Sequence, residues 1–134
     1  MSIESIRAAL ETQLATLTPA LDTVHENEAY APTDGVPYQR VDLLIAQPDS
    51  PLMGAGRREQ GIMQVTLRYP RGDGARDITA RAEAIRDAFP KGAEFAAGSY
   101  RITIFDSPYL GNGFDSEQRW CVPVRVFWHS NFIF

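Results

Sequence analysis

From Trp120 to His129 the chain alternates strictly. Trp120, Val122, Val124, Val126 and Trp128 fall on one side of an extended backbone, and Cys121, Pro123, Arg125, Phe127 and His129 fall on the other. Period-two alternation of β-branched and aromatic residues predicts a strand with one face in a core. The second face is not wholly polar, because Phe127 lies on it. The strand runs on into Phe132, Ile133 and Phe134. An apolar ending of this kind needs cover, from its own domain or from a neighbouring subunit.

The same reading divides the rest of the chain. Ile3, Ile6, Leu10, Leu14 and Leu17 recur at helical spacing and predict a helix over Ser2 to Leu17, with Ser2 as N-cap and Pro19 as stop. Asp22 to Glu26 suits a short strand, and Asn27 to Pro37 is rich in turn formers. Tyr38 to Ala46 reads as a strand with Val41, Leu43 and Ile45 on one face. Gln47 to Gln60 reads as a long loop, and Ile62 to Tyr69 as a third strand. A second helix is predicted from about Ala75 to Phe89, with Ile78, Ala82, Ile85 and Phe89 as its buried stripe and Pro90 and Gly92 ending it. Tyr100 to Phe105 is a fourth strand, and Ser107 to Gln118 a second long loop. Few helices and directly successive strands predict an α+β fold: one domain over residues 1–134, with a mixed, mainly antiparallel sheet of four to five strands and two helices packed on one face.

Composition narrows the function classes. The net charge of -4 argues against a broad nucleic-acid-binding surface, and no apolar run approaches the ~20 residues that span a bilayer. Met1 to Arg7 lacks the basic and apolar regions of a signal peptide. The single cysteine, Cys121, excludes an internal disulfide and suits a reducing compartment. Lys91 is the sole lysine, so nearly all positive charge is carried by arginine, which suits forked interface contacts; a genomic base bias gives the same pattern.

The search for catalytic chemistry yields no site. One cysteine and two separated histidines, His25 and His129, do not supply a zinc site, and no cofactor motif is present. Cys121 and His129 lie eight residues apart on one predicted strand, roughly 26 Å, too far to act together. Gly54 to Gly61 has the wrong glycine spacing for a phosphate loop and precedes a strand rather than a helix. Arg71-Gly72-Asp73 is read as a strand-to-helix turn in which Asp73 caps the helix. Arg57 and Arg58 are candidates for contact with an acidic partner surface.

The linear order carries a further signal. An amphipathic helix is followed by His25-Glu26-Asn27-Glu28-Ala29-Tyr30-Ala31-Pro32, a strand opening at Pro37-Tyr38, then Arg58-Glu59-Gln60-Gly61 running to Tyr69-Pro70 and Gly74. A helix ending at Phe89-Pro90 follows, and the close is Arg119-Trp120 with a Val-Pro-Val-Arg-Val strand. With Glu26-Asn27, Pro32, Gly61 and Trp120 as signposts, this order resembles the tail terminator and tail-completion proteins of long-tailed bacteriophages and prophages, over nearly the whole chain.

The resemblance implies a structural virion protein and not an enzyme, without cofactor, metal, membrane or specific nucleic-acid partner. It implies a ring of copies, typically hexameric, that ends tail-tube polymerisation and offers the surface on which the head connector docks. The expected partners are therefore the chain itself, the tail tube protein and the head–tail connector protein. The expected location is the virion tail, reached through the host cytoplasm during assembly. Phe127, Phe132, Ile133 and Phe134 are the candidate subunit interface. Arg57, Arg58, Asn112 and Phe114 are the candidate docking-loop residues. Two other readings stand beside this one: a head-completion or neck adaptor, and a small-ligand-binding or hydrolytic α+β domain with a polar pocket around His25 or Cys121.

Overall fold

The computed structural model describes residues 3–17, 21–25, 31, 35–46, 57–72, 74–97 and 100–132, with the backbone only at Ile3, Arg57, Tyr100, Asn131 and Phe132. Helix α1 spans Ile3–Ala15, and its stripe at i, i+4 and i+8 sinks Ile6, Leu10 and Leu14 to 2% exposure or less. Helix α2 spans Arg76–Ala88 and buries Ile78, Ala82 and Ile85, with Phe89 completing the stripe just beyond its end. Burial of each large side chain contributes roughly 1.5–3 kcal/mol, far more than helix propensity alone supplies. Helix α2 ends as the Phe89 N–H donates to the Arg86 carbonyl, and Gly92 turns the chain at φ 89°. No side chain caps its start at Ala75. The expected caps Asp73 and Ser2, and the stop Pro19, lie outside the described residues.

Among the described residues eight strands form one sheet: β1 (Asp22–Val24), β2 (Tyr38–Ile45), β3 (Arg57–Pro70), β4 (Glu94–Ala97), β5 (Tyr100–Ile104), β6 (Tyr109–Leu110), β7 (Phe114–Ser116) and β8 (Arg119–Phe132). Their order is β1-β2-β3-β8-β5-β4, with β6 and β7 also paired to β8. The β1–β2 pair is parallel and the others are antiparallel, so the fold is α+β with a mixed sheet.

This corrects the expected count of four to five strands, and the reason is β8. Strand β3 occupies one edge of β8 over all 14 residues, while β7, β6 and β5 share the other edge in succession. The predicted loop Gln47 to Gln60 therefore ends early, because Arg57–Gln60 pair with His129–Phe132. The predicted loop Ser107 to Gln118 holds β6 and β7. Strand β4, not predicted, is drawn in by β5. In each case a neighbouring strand supplies backbone hydrogen bonds that local composition does not announce.

Core rows cross the sheet in register: Val41–Val65–Val124 and Leu43–Met63–Val126, all buried beneath the two helices. Ile45, expected on this face, lies at the end of β2 and is 46% exposed. Its register partner Gly61 faces Trp128, which is fully buried. A Cβ at Gly61 would stand 2.9 Å from Trp128 Cζ2 and closer still to the Leu44 carbonyl oxygen. Gly61 is thus required by close packing, since the Leu44 carbonyl and the indole occupy the space that a side chain would need.

The β7–β8 hairpin turns on Glu117 and Gln118, at φ 48° and 63°. Two consecutive positive φ values are what a two-residue type I′ turn demands, and Asn-Gly meets that demand with less strain than Glu-Gln. Arg68 steadies the tip by donating to the Ser116 carbonyl at 3.3 Å.

Two predictions follow from this packing. Gly61→Ala should lower stability by about 1–3 kcal/mol through overpacking against the Leu44 carbonyl and Trp128, read from the urea midpoint. An unchanged midpoint would mean that both the β2 backbone and the indole shift freely. Glu117→Asn with Gln118→Gly should raise stability by roughly 0.5–1 kcal/mol in the same measurement, and a lowered midpoint would show that the lost Arg68–Glu117 contact at 3.4 Å outweighs the relief of strain.

Candidate assembly surfaces

The helices cover one face of the sheet; the other is closed at one end, where Tyr38, Thr66, Arg119 and Cys121 are buried, and open toward Leu44 and Phe105. The odd-numbered residues of β8 and the even-numbered residues of β2 and β3 lie on this open face, because strand side chains alternate. Pairing fixes its rows: Leu44–Ile62–Phe127, Asp42–Gln64–Arg125 and Arg40–Thr66–Pro123. Leu44 is 50% exposed, and Phe105, just past β5, is 42% exposed. Phe105 packs on Phe127 with ring centroids 6.3 Å apart and stacks on His129 at 5.2 Å. Burial lowers the pKa of His129, and the Arg58 guanidinium lowers it further, so the imidazole is held toward its neutral form. The middle row is polar: Arg125 Nε donates to Gln64 Oε1 at 3.1 Å, and Arg40 Nε lies 3.5 Å from Asp42 Oδ1.

The opposite end of the sheet is built on arginines. The Arg119 guanidinium sits 4.8 Å from the Tyr38 ring centroid and donates to the Val36 carbonyl at 2.7 Å. Arg68 approaches the same ring at 5.7 Å. Two cations against one aromatic ring tie β2, β3 and β8 together where the hairpin tip begins. Asp115 and Arg71 approach to 3.5 Å on the surface beside it.

The predicted residues fall at these two ends. Phe127 belongs to the open-face row. Phe132 is the last residue of β8, paired with Arg57, so two predicted sites meet in one register pair. Ile133 and Phe134 lie outside the described residues. Arg57 and Arg58 belong to β3 and not to a loop, and Arg58 lies on the open-face side near His129. Asn112 is exposed between β6 and β7, and Phe114 opens β7 at 44% exposure. Phe114 pairs with Cys121, eleven residues along β8 from Phe132, or roughly 36 Å. The structure therefore does not gather Arg57, Arg58, Asn112 and Phe114 into one docking surface. Sequence reasoning missed Leu44, Ile62 and Phe105. The available signal was an apolar residue on the otherwise polar phase of each strand, which becomes a row only once the register is known.

Cys121 and His25, the residues considered for chemistry, are both engaged in contacts within the fold. Cys121 is fully buried, its thiol pKa pushed up by burial, and its Sγ donates to the Arg119 carbonyl at 3.8 Å. His25 Nδ1 lies 2.7 Å from Glu11 Oε1, joining β1 to α1. Three surface cavities of 330–380 Å³ are lined by neither residue. Among the described residues no group of three His, Cys, Asp or Glu side chains could hold a metal ion, and no helix is long and apolar enough to cross a membrane.

No curated protein matches. One solved structure, with no functional name attached, superposes with a TM-score of 0.81 at 25% identity, covering 99% of this chain and 98% of that one. A chain from a structure described as the virion of a native gene transfer agent particle superposes with a TM-score of 0.61 at 18% identity, covering 94% and 93%, and shows the shared fold. Residues 5–128, nearly the whole sequence, match a family described as phage tail terminator protein. The chain belongs to the phage tail terminator protein family.

Proposed function

We propose that the chain ends polymerisation of the tail tube and forms the head-proximal ring of the tail, to which the head connector docks. The match over residues 5–128 carries this reading. The role is structural: the protein's work is to present surfaces. A ring of identical copies needs a heterologous contact, in which one patch of a subunit meets a different patch of the next. Two unlike ends of the sheet, one apolar around Phe127 and Phe105 and one rich in arginine around Tyr38, supply unlike patches on one chain. The end of β8 at Phe132, followed by Ile133 and Phe134, is the subunit contact in this proposal. Arg57 and Arg58 beside it, and Asn112 and Phe114 at the far end, face the tail tube and the connector on opposite sides of the ring. Six copies is the expected order, assembled in the host cytoplasm and retained in the virion.

Phe132→Asp with Phe134→Asp should leave the thermal unfolding of the isolated chain nearly unchanged while abolishing the ring in native mass spectrometry. Loss of folding would instead place these residues in the subunit core. In a phage lacking the protein, tails should overrun their normal length and fail to join heads. Tails of normal length that lack heads would replace this reading with the neck-adaptor one.

A further inference from the structure

The open face carries a charge pattern beyond the ring contact proposed above, with which it shares Phe127. Its rows are arranged about β3. Asp42 and Arg125 flank Gln64, and Leu44 and Phe127 flank Ile62. The β2 side thus presents a carboxylate where the β8 side presents a guanidinium, and an aliphatic side chain where the β8 side presents a ring. Arg125 hydrogen-bonds to a neutral amide, Gln64, at 3.1 Å, and Asp42 is held only by a surface contact with Arg40 at 3.5 Å. Such surface contacts contribute little and exchange readily.

We propose that a second copy of this chain covers this face, sheet on sheet, about a two-fold axis running along β3. An axis lying between the two sheets and parallel to β3 exchanges the β2 side of one copy with the β8 side of the other. Asp42 then meets Arg125 of the second copy twice over, and Leu44 meets Phe127 twice over. Ile62 meets its own counterpart on the axis, as does Gln64. Opposite charges face each other at both symmetry-related positions, and the apolar row closes on itself. Packed sheets cross at about 30°, which displaces residues one strand from the axis by only ~2–3 Å, within reach of these side chains. The helix layer of a second copy offers no such match. The exposed positions of α2 include Arg76, Asp77, Glu83, Arg86 and Asp87, with no apolar row.

Size sets the strength. Three strands, β2, β3 and β8, run together for eight residues, and at ~4.8 Å spacing and ~3.3 Å rise they give at most about 400 Å² per copy, well below the ~800 Å² per partner of a standard stable interface. The pair is therefore reversible, forming as concentration rises and parting when another surface competes. It does not depend on the tail assignment: it concerns the free chain, and its readout is a species of two.

The test is trans-complementation in sedimentation equilibrium with the full chain. Wild-type protein should self-associate to a dimer at roughly 100 µM. Asp42→Arg alone and Arg125→Asp alone should each weaken this by on the order of tenfold or more, since each sets like charges together twice. An equimolar mixture of the two variants should regain it, because every facing pair is then again opposite in sign. A wild-type chain that stays monomeric, or a mixture no stronger than either variant, overturns the proposal. A six-copy ring with no two-copy species overturns it too while leaving the tail reading intact. If either charge variant fails to fold by circular dichroism, Ile62→Cys gives a second measurement. Oxidised by glutathione disulfide, it should link copies at least tenfold faster than exposed Thr79→Cys on α2; equal rates overturn the proposal.

Discussion

The pairing of β3 with β8 is the constraint on which the rest of the molecule depends. Each strand is 14 residues long, and they are matched from end to end. A register slip of one residue would carry Val122, Val124, Val126 and Trp128 from the helices to the open face and bring Arg125 and His129 inward. Gly61 opposite Trp128 helps to pin the register, since it places the one residue without a side chain where the largest core ring must lie. Strand β2, the helices and the short strands β5, β6 and β7 all take their positions from this pair.

That dependence explains which parts of the fold were legible in the sequence. The helical stripes and the alternation of β8 were, because both are local periodicities that burial enforces residue by residue. Arg57–Gln60, β4 and the short strands β6 and β7 were not. Their residues (Arg-Arg-Glu-Gln, Glu-Phe-Ala-Ala, Tyr-Leu and Phe-Asp-Ser) carry no strand periodicity, and they are extended because a partner strand is already there. The candidate surfaces divide in the same way. Phe127 was visible as an apolar residue on the wrong phase of a strong strand. Leu44, Ile62 and Phe105 each look incidental alone and form a patch only through cross-strand register.

The two faces of the sheet answer to different demands. On the helix side, β-branched residues meet Ile and Leu stripes, and exposure falls to nearly zero. On the open side the rows alternate between apolar and charged, with one histidine kept toward neutrality by burial and by Arg58. A soluble sheet can leave one antiparallel face in water. Here that face is more apolar at one end than water alone would select, and more ordered in its charges than a solvated surface requires. A polar row beside an apolar one is also the anatomy of a contact that must form and part, since the charges orient the approach and the apolar row supplies the affinity.

A fold specified this way tolerates wide divergence. Packing between the helices and the sheet asks for β-branched or aliphatic residues on one phase of β2, β3 and β8 and for helical stripes opposite, and many sequences meet that condition. A structure sharing only 25% identity still superposes with a TM-score of 0.81 over 99% of this chain. The exposed part of the second face, around Leu44 and Phe105, is under no such structural demand. Differences there alter what the protein touches without altering what it is, so the scaffold can stay fixed while the contacts at its edges change with the assembly it serves.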